Sequence, residues 1–183
     1  MRIAARFSLV AALVGVLVAS VLIASPSYAS AAPRTGVPVL VENQHSRMCM
    51  DVAFGSRDNN ARIQQYTCYR GLPEQWRFNY LATLHGVNYF EIVNVFSNKC
   101  LDVPNGNASA GVQMIQFDCW QGPMQLWGVV LVPGTVNVYT IAPYLNHGLC
   151  LDDQDWNTTP GANIQLWPCN GLTVQRWVIS ELS

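Results

Sequence analysis

The sequence is poor in charged residues. They make up 11 % of its 183 residues, the formal net charge is −1 at pH 7, and Lys99 is the only lysine. An average globular protein contains about 25 % charged residues. A chain without a basic excess has little attraction for a phosphate backbone, so we do not expect nucleic acid among its partners. Its polarity comes instead from amides, with 14 Asn and 11 Gln.

Long apolar runs are missing except near the N-terminus. One run covers residues 9–24, follows two arginines and precedes the small residues Ser27 and Ala29. This order is typical of a secretory signal peptide, predicted at residues 1–29 and followed by a short segment at 30–36. An uncleaved membrane anchor is the alternative, although a bilayer span needs about 20 apolar residues. We expect a secreted, extracellular mature chain without a membrane span, whose cysteines are oxidised.

Helical periodicity is also absent from the rest of the chain. Short β-branched and aromatic runs alternate there with turn residues, and this pattern predicts an all-β structure. The clearest runs are residues 37–41, 89–95, 129–132 and 136–141.

Three series of residues recur at nearly constant spacing. Successive members of each series are 51 and 50 residues apart: Cys49, Cys100 and Cys150; Cys68, Cys119 and Cys169; Trp76, Trp127 and Trp177. Such a period indicates three internal repeats of about 50 residues, and about four strands in each would give about twelve. Bulky filler is needed between repeats, so we expect the tryptophans to be core residues.

The six cysteines are expected to form disulfides. Fifteen pairings are possible, and the threefold repetition favours the one within each repeat. The predicted disulfides are Cys49–Cys68, Cys100–Cys119 and Cys150–Cys169. A zinc site would need closely spaced pairs of ligands, which these cysteines and the non-repeating histidines do not provide. No metal and no cofactor are therefore expected.

Each repeat carries further shared residues. A Cys-x-Asp sequence ends at Asp51, Asp102 and Asp152, and the position two before the repeated tryptophan holds Glu74, Gln125 or Gln175. These features, with the run of residues 163–169, resemble the ricin-B-type β-trefoil lectins and carbohydrate-binding modules. The resemblance covers residues 37–183. It implies an all-β β-trefoil in which three lobes surround a pseudo-threefold axis and each has one potential sugar pocket.

The disulfides suggest which side chains share a face. If each joins two antiparallel segments with the cysteines opposite one another, Asp51 faces Tyr66, Asp102 faces Phe117 and Asp152 faces Trp167. Gln64 and Gln165 join the same face, because side chains two apart point the same way. A carboxylate, an amide and an aromatic ring together suit a pyranose.

The three pockets are not expected to be equal. Repeat three has the largest ring and ranks first, repeat one ranks second, and repeat two ranks last because Ile115 replaces the amide and Gln116 is expected to face the core. Trp156 is a candidate second platform over the third pocket. The predicted sugar-binding residues are Asp152, Gln165, Trp167, Asn170 and Gln175 in repeat three, Asp51, Gln64, Tyr66 and Glu74 in repeat one, and Asp102, Phe117 and Gln125 in repeat two.

The sequence departs from the family pattern at one position in every repeat. The family commonly has Asn immediately before the Gln of Gln-x-Trp, and this chain has Pro73, Met124 and Val174 there. Residues directly after each second cysteine are candidate substitutes, namely Tyr69, Trp120 and Asn170.

The resemblance implies a lectin rather than an enzyme. Glycoside hydrolysis needs two carboxylates flanking one bond, and each repeat offers a single repeated Asp. The expected partners are galactose-, xylose- or arabinose-containing glycans, together with a separate secreted hydrolase if the chain targets polysaccharide. The alternative is a protein-binding β-trefoil, acting as an inhibitor or adhesion surface, whose sugar pockets have degenerated.

Overall fold

The computed structural model describes residues 32–182, so the predicted signal peptide at residues 1–29 lies outside the described residues. Within that range the chain forms strands and short 3₁₀ turns, and none of its helical turns has the length and apolarity to cross a membrane. The strands are β1 (Pro38–Asn43), β2 (Cys49–Val52), β3 (Ile63–Tyr66), β4 (Gln75–Leu84), β5 (Val87–Asn94), β6 (Cys100–Asp102), β7 (Ile115–Phe117), β8 (Trp127–Leu131), β9 (Val138–Pro143), β10 (Leu149–Asp153), β11 (Ile164–Pro168) and β12 (Trp177–Glu181).

Six of the twelve strands close into an antiparallel barrel. The pairs run β1–β4, β4–β5, β5–β8, β8–β9, β9–β12 and β12–β1. The other six form three hairpins, β2–β3, β6–β7 and β10–β11. This architecture is a β-trefoil, which confirms the fold expected from the sequence. We call β1–β4 lobe one, β5–β8 lobe two and β9–β12 lobe three.

The three disulfides expected within the repeats are present. Their Cα–Cα distances are 5.1, 5.2 and 5.1 Å for Cys49–Cys68, Cys100–Cys119 and Cys150–Cys169. Each joins the first strand of a hairpin to a residue beyond the end of the second strand. The bonds are therefore diagonal, and this geometry changes the register that the sequence predicts.

The predicted register of the hairpins is wrong by two residues. Asp51 pairs with Gln64, Asp102 with Ile115 and Asp152 with Gln165. The aromatic residues pair instead with the first cysteine of each repeat, as Cys49 does with Tyr66. A shift of two leaves every side chain on its original face, so the predicted grouping of carboxylate, amide and ring survives.

The repeated tryptophans fill the core, as expected. Trp76, Trp127 and Trp177 are fully buried. Their indole N–H groups donate hydrogen bonds to the carbonyl oxygens of Met50 at 2.8 Å, Leu101 at 3.0 Å and Leu151 at 3.0 Å. Each acceptor is the middle residue of a Cys-x-Asp sequence, so the core holds the backbone directly before the aspartate of each repeat.

The hairpins meet around a side chain at the pseudo-threefold axis. The Nε2 atom of Gln113 lies 2.6 Å from the carbonyl oxygen of Ile63, 2.8 Å from that of Met114 and 3.0 Å from that of Ile164. The three acceptors occupy the same position in their respective repeats. One amide thus supplies donors to carbonyl groups from all three lobes.

Replacing Gln113 with alanine should destabilise the protein by about 1–3 kcal/mol, because the converging carbonyl groups would lose their donor. Asn163 is a matched control, since it occupies the corresponding position in lobe three and its side chain bonds to the side chains of Arg62 and Gln154 rather than to the carbonyl groups at the axis. Denaturant unfolding should show a larger loss for Gln113→Ala than for Asn163→Ala. Equal losses would contradict the role of Gln113 at the axis.

Candidate functional site

Each lobe places a buried aspartate in the wall of a surface cavity. Asp51, Asp102 and Asp152 lie at or near the ends of β2, β6 and β10, where the chain turns into a 3₁₀ segment. The cavities they line have volumes of about 360 Å³ in lobe one, 280 Å³ in lobe two and 140 Å³ in lobe three. The three predicted pockets are therefore separate concave sites of unequal size.

The carboxylate of lobe one has two side-chain donors. Gln64 Nε2 donates to Asp51 Oδ1 at 3.0 Å, and the Tyr69 hydroxyl donates to Asp51 Oδ2 at 3.2 Å. The ring of Tyr66 is 43 % exposed and lines the same cavity. The predicted acid, amide and aromatic ring are thus brought together in this lobe.

In lobe one, Glu74 occupies the position at which the other lobes have a glutamine, and Tyr69 takes over the hydrogen bond to the aspartate. Its carboxylate oxygens accept the backbone N–H of Tyr69 at 2.9 and 3.1 Å, and the side chain is fully buried. An ionised carboxylate has no proton to donate, whereas the glutamines at this position in the other lobes donate to their aspartates. Burial raises the pKa of Glu74, and the charge of Asp51 adds to this effect. The Tyr69 hydroxyl supplies the missing donor.

Lobe three has the complete amide set. Gln165 Nε2 donates to Asp152 Oδ1 and Gln175 Nε2 donates to Asp152 Oδ2, both at 3.0 Å. Trp167 is 44 % exposed on the cavity wall. Trp156 and Asn170 also line this cavity, although the Asn170 Oδ1 atom already accepts the N–H of Leu172.

Lobe two retains the aspartate but has lost polar partners. Gln125 Nε2 donates to Asp102 Oδ2 at 2.8 Å, and the residue paired with Asp102 is the apolar Ile115. Phe117 and Met124 form an apolar wall, and the Trp120 side chain lines the cavity and hydrogen-bonds to Asp102. The neighbouring Gln116 is fully buried and donates to the carbonyl oxygens of residues 56 and 58, which confirms that it faces the interior.

Burial governs the electrostatics of the three aspartates. It raises the pKa of Asp51, Asp102 and Asp152, and the hydrogen bonds from their side-chain donors oppose the increase. Burial also raises the pKa of Tyr69 to about 12, with the charge of Asp51 contributing, so this hydroxyl keeps its proton at neutral pH. Each carboxylate is an acceptor with a fixed orientation, suited to a neutral hydroxyl donor.

Three predicted site residues lie behind the cavities. Glu74, Gln125 and Gln175 are buried, and each accepts the backbone N–H of the residue that follows the second cysteine. Gln125 and Gln175 also hold the aspartate, so these side chains position the site from beneath. The residues after the second cysteine, Tyr69, Trp120 and Asn170, do line the cavities.

Several cavity residues escaped sequence reasoning. Phe54 is 95 % exposed at the rim of lobe one, and Arg62 lines the same cavity. Asp153 lines the cavity of lobe three although it is fully buried. Alignment of the repeats would have identified it, because Val52 and Val103 occupy its position in the other lobes.

Asp153 is held without hydrogen-bond donors. Within residues 32–182, neither of its carboxylate oxygens has a hydrogen-bond partner. Burial, followed by the charges of Asp152 and Asp155, raises the pKa of Asp153 from 3.8 to about 7. A buried carboxyl group without partners destabilises the folded state, most of all when it is ionised.

Replacing Asp153 with valine, as in the other lobes, should stabilise the protein, and more so at higher pH. The folded-state pKa exceeds the unfolded value, so the folded protein binds the proton more tightly and loses stability as pH rises from 3.8 to about 7. The variant lacks this loss. Its advantage in the free energy of unfolding should grow across that interval and level off above it, and a pH-independent difference would contradict the assignment.

Comparison with known proteins agrees with the geometry. Residues 74–167 and 125–183 match a family model described as ricin-type beta-trefoil lectin domain-like. Curated proteins give no match. The designed threefold-symmetric protein ThreeFoil is 28 % identical, with 79 % of this chain and 99 % of that one covered and a TM-score of 0.72.

Two natural structures extend the comparison. The exo-β-1,3-galactanase 1,3Gal43A from Clostridium thermocellum is 30 % identical, with a TM-score of 0.73. The match covers 83 % of this chain and 31 % of that enzyme, so the chain spans less than a third of it. The Macrolepiota procera ricin B-like lectin, solved in complex with lactose, shares the fold at 20 % identity, with 83 % and 100 % coverage and a TM-score of 0.67. The repeats, the trefoil and the family match together show that the chain belongs to the ricin-type β-trefoil lectin domain-like family.

Proposed function

We propose that the chain is a secreted carbohydrate-binding protein that recognises galactose- or xylose-like sugars through lobes three and one. The observation that carries this proposal is the same constellation in two cavities. A buried aspartate is held by an amide 3.0 Å away, and an exposed aromatic ring lies on the same wall. The signal peptide expected from the sequence supports secretion.

The constellation suits a pyranose for physical reasons. A pyranose has an apolar C–H face that packs against an aromatic ring, and its hydroxyl groups both donate and accept hydrogen bonds. In lobe three, Trp167 offers the ring and Asp152 the fixed acceptor, while Gln165 offers an amide beside them. When a sugar binds, its hydroxyl groups take the place of the water displaced from these polar groups. Binding therefore does not leave the buried carboxylate without a hydrogen-bond partner.

Two relatives support a galactose-type ligand. One is an exo-β-1,3-galactanase and the other was solved with lactose. Xylose- and arabinose-containing polymers remain within the proposed range, because the cavities are open and the chain lacks the Asn that commonly precedes Gln-x-Trp in the family.

The constellation shared by the lobes favours binding over glycoside hydrolysis. Two carboxyl groups must flank the scissile bond, one as acid and one as nucleophile or base. In lobe one the second carboxyl belongs to Glu74, which is buried behind Asp51 and bonded to the backbone of Tyr69. In lobe three Asp153 and Asp155 line the cavity beside Asp152, but Asp153 is fully buried and neither residue recurs in the other lobes. We propose binding without catalysis.

Avidity would compensate for weak individual sites. Shallow sugar sites typically bind near 1 mM, or about −4 kcal/mol. Two working lobes on one rigid trefoil can engage a branched or surface-bound glycan together, and the second contact is then effectively intramolecular. The apparent affinity for a polymer should therefore exceed that for a monosaccharide.

Truncating both platforms should abolish glycan binding. We expect Tyr66→Ala combined with Trp167→Ala to remove signal on an array that includes galactose-, xylose- and arabinose-containing polymers, because both exposed rings are lost. Tyr80→Ala is the matched control, since Tyr80 is also exposed but lies outside the three cavities. Unchanged binding by a folded double variant would contradict the proposal and favour the protein-binding alternative.

Lobe two should gain affinity from one substitution. Ile115→Gln places an amide opposite Asp102, as Gln64 and Gln165 stand opposite their aspartates. We expect isothermal titration to show an additional site, or tighter binding at lobe two. Ile115→Met has a similar length without a donor and should show no gain. Identical titrations for both variants would refute the role assigned to the amide.

A further inference from the structure

Lobe three departs from the other lobes at two positions on its cavity wall. Asp153 stands where lobes one and two have Val52 and Val103, and Trp156 stands where they have glycine. Trp156 adopts the left-handed backbone conformation, with φ 56°, that the corresponding glycines adopt at 57° and 69°. Both changes are costly, because valine tolerates burial and glycine tolerates positive φ. Costly features that coincide at one cavity point to a ligand.

The first feature is an excess of negative charge. Asp152, Asp153 and Asp155 all line the cavity of about 140 Å³. Asp153 is fully buried, and both its oxygens lack hydrogen-bond donors. Among the described residues, no Lys or Arg forms an ion pair with any of the three.

The arginine beside this cavity has hydrogen-bond partners of its own. Arg62 lines an adjoining cavity together with Asp155. Its guanidinium donates to Asn163 Oδ1 at 3.0 Å and to Gln64 Oε1 at 3.3 Å. It therefore forms no ion pair with the carboxylates of lobe three among the described residues.

The second feature is a pair of exposed indole rings. Trp156 is 49 % and Trp167 44 % exposed, and both line the acidic cavity. The edge of Trp156 packs against His45 with ring centroids 4.9 Å apart, which helps to fix its position. Aromatic faces attract cations, tryptophan most strongly, and acidic groups beside them add to the attraction.

We propose that lobe three binds an amino sugar through its free, positively charged amine. This inference rests on the proposed function, because the sugar ring would use Trp167 and Asp152 as described above. The ammonium group would supply the positive charge that Asp153 and its acidic neighbours lack, and it would act on the buried Asp153 through its electric field. Contact with every carboxylate is not required, since unit charges attract over several ångström in a poorly solvated site.

Lobe one provides an internal contrast. It has the same acid, amide and ring, but Val52 replaces Asp153 and Arg62 lines its cavity. The positive charge of Arg62 repels an ammonium group, whereas a neutral sugar is not repelled. The pockets of lobes three and one, which the sequence ranks first and second, are therefore expected to prefer ligands of different charge.

The test compares three sugars at neutral pH by NMR. D-galactosamine carries the amine, whereas D-galactose and N-acetyl-D-galactosamine are neutral. We expect the indole N–H signals of Trp156 and Trp167 to titrate with D-galactosamine at least tenfold more tightly than with either neutral sugar. Signals of the Tyr66 ring should show no such preference.

Two variants separate charge from shape. Asp153→Asn keeps the size of the side chain and removes its charge, and Asp153→Val introduces the residue of the other lobes, so that both should fold. The preference of lobe three for D-galactosamine over D-galactose should fall several-fold in each. A preference that persists in both folded variants would overturn the role of Asp153.

The outcomes distinguish this inference from the proposed function. Equal affinity of wild-type lobe three for D-galactosamine and D-galactose would refute the amine site and leave sugar binding intact. Absence of any titration at Trp156, Trp167 and Tyr66 with all three sugars would refute both.

Discussion

The hydrogen bond from each core indole to the Cys-x-Asp backbone connects the interior of this protein to its surface cavities. Trp76, Trp127 and Trp177 are fully buried and donate to the carbonyl group that directly precedes each cavity aspartate. The disulfide of each repeat also anchors the cysteine two residues before the aspartate. A carboxylate on such a fixed backbone loses little conformational freedom when a ligand binds, which is the physical advantage of building a shallow site on a rigid core.

Threefold symmetry makes the differences between lobes informative. Glu74 breaks the amide pattern in lobe one, and the Tyr69 hydroxyl restores the donor to Asp51. Lobe two lacks the amide opposite Asp102, where Ile115 stands. Lobe three keeps every amide and adds Asp153, a residue that costs stability. One scaffold thus holds a compensated site, a depleted site and a site with additional charge.

The spacing of cysteines and tryptophans was sufficient to predict the repeats, the disulfides and the buried tryptophans, because each depends on local sequence repetition. The fold came from the resemblance and is confirmed. The hairpin register was predicted wrongly, because a disulfide beyond the end of a strand is diagonal rather than directly across. The role of Gln113 at the axis depends on contacts between distant segments, which spacing does not reveal.

The central claim is that the cavities of lobes one and three hold a sugar between an aromatic ring and a fixed aspartate. A crystal structure of the oxidised protein with lactose tests it most directly. The account predicts a galactose ring packed on Trp167 or Tyr66, with a hydroxyl group donating to Asp152 or Asp51. Lactose bound only at another surface, such as the apolar groove beside His147 and Tyr89, would contradict it.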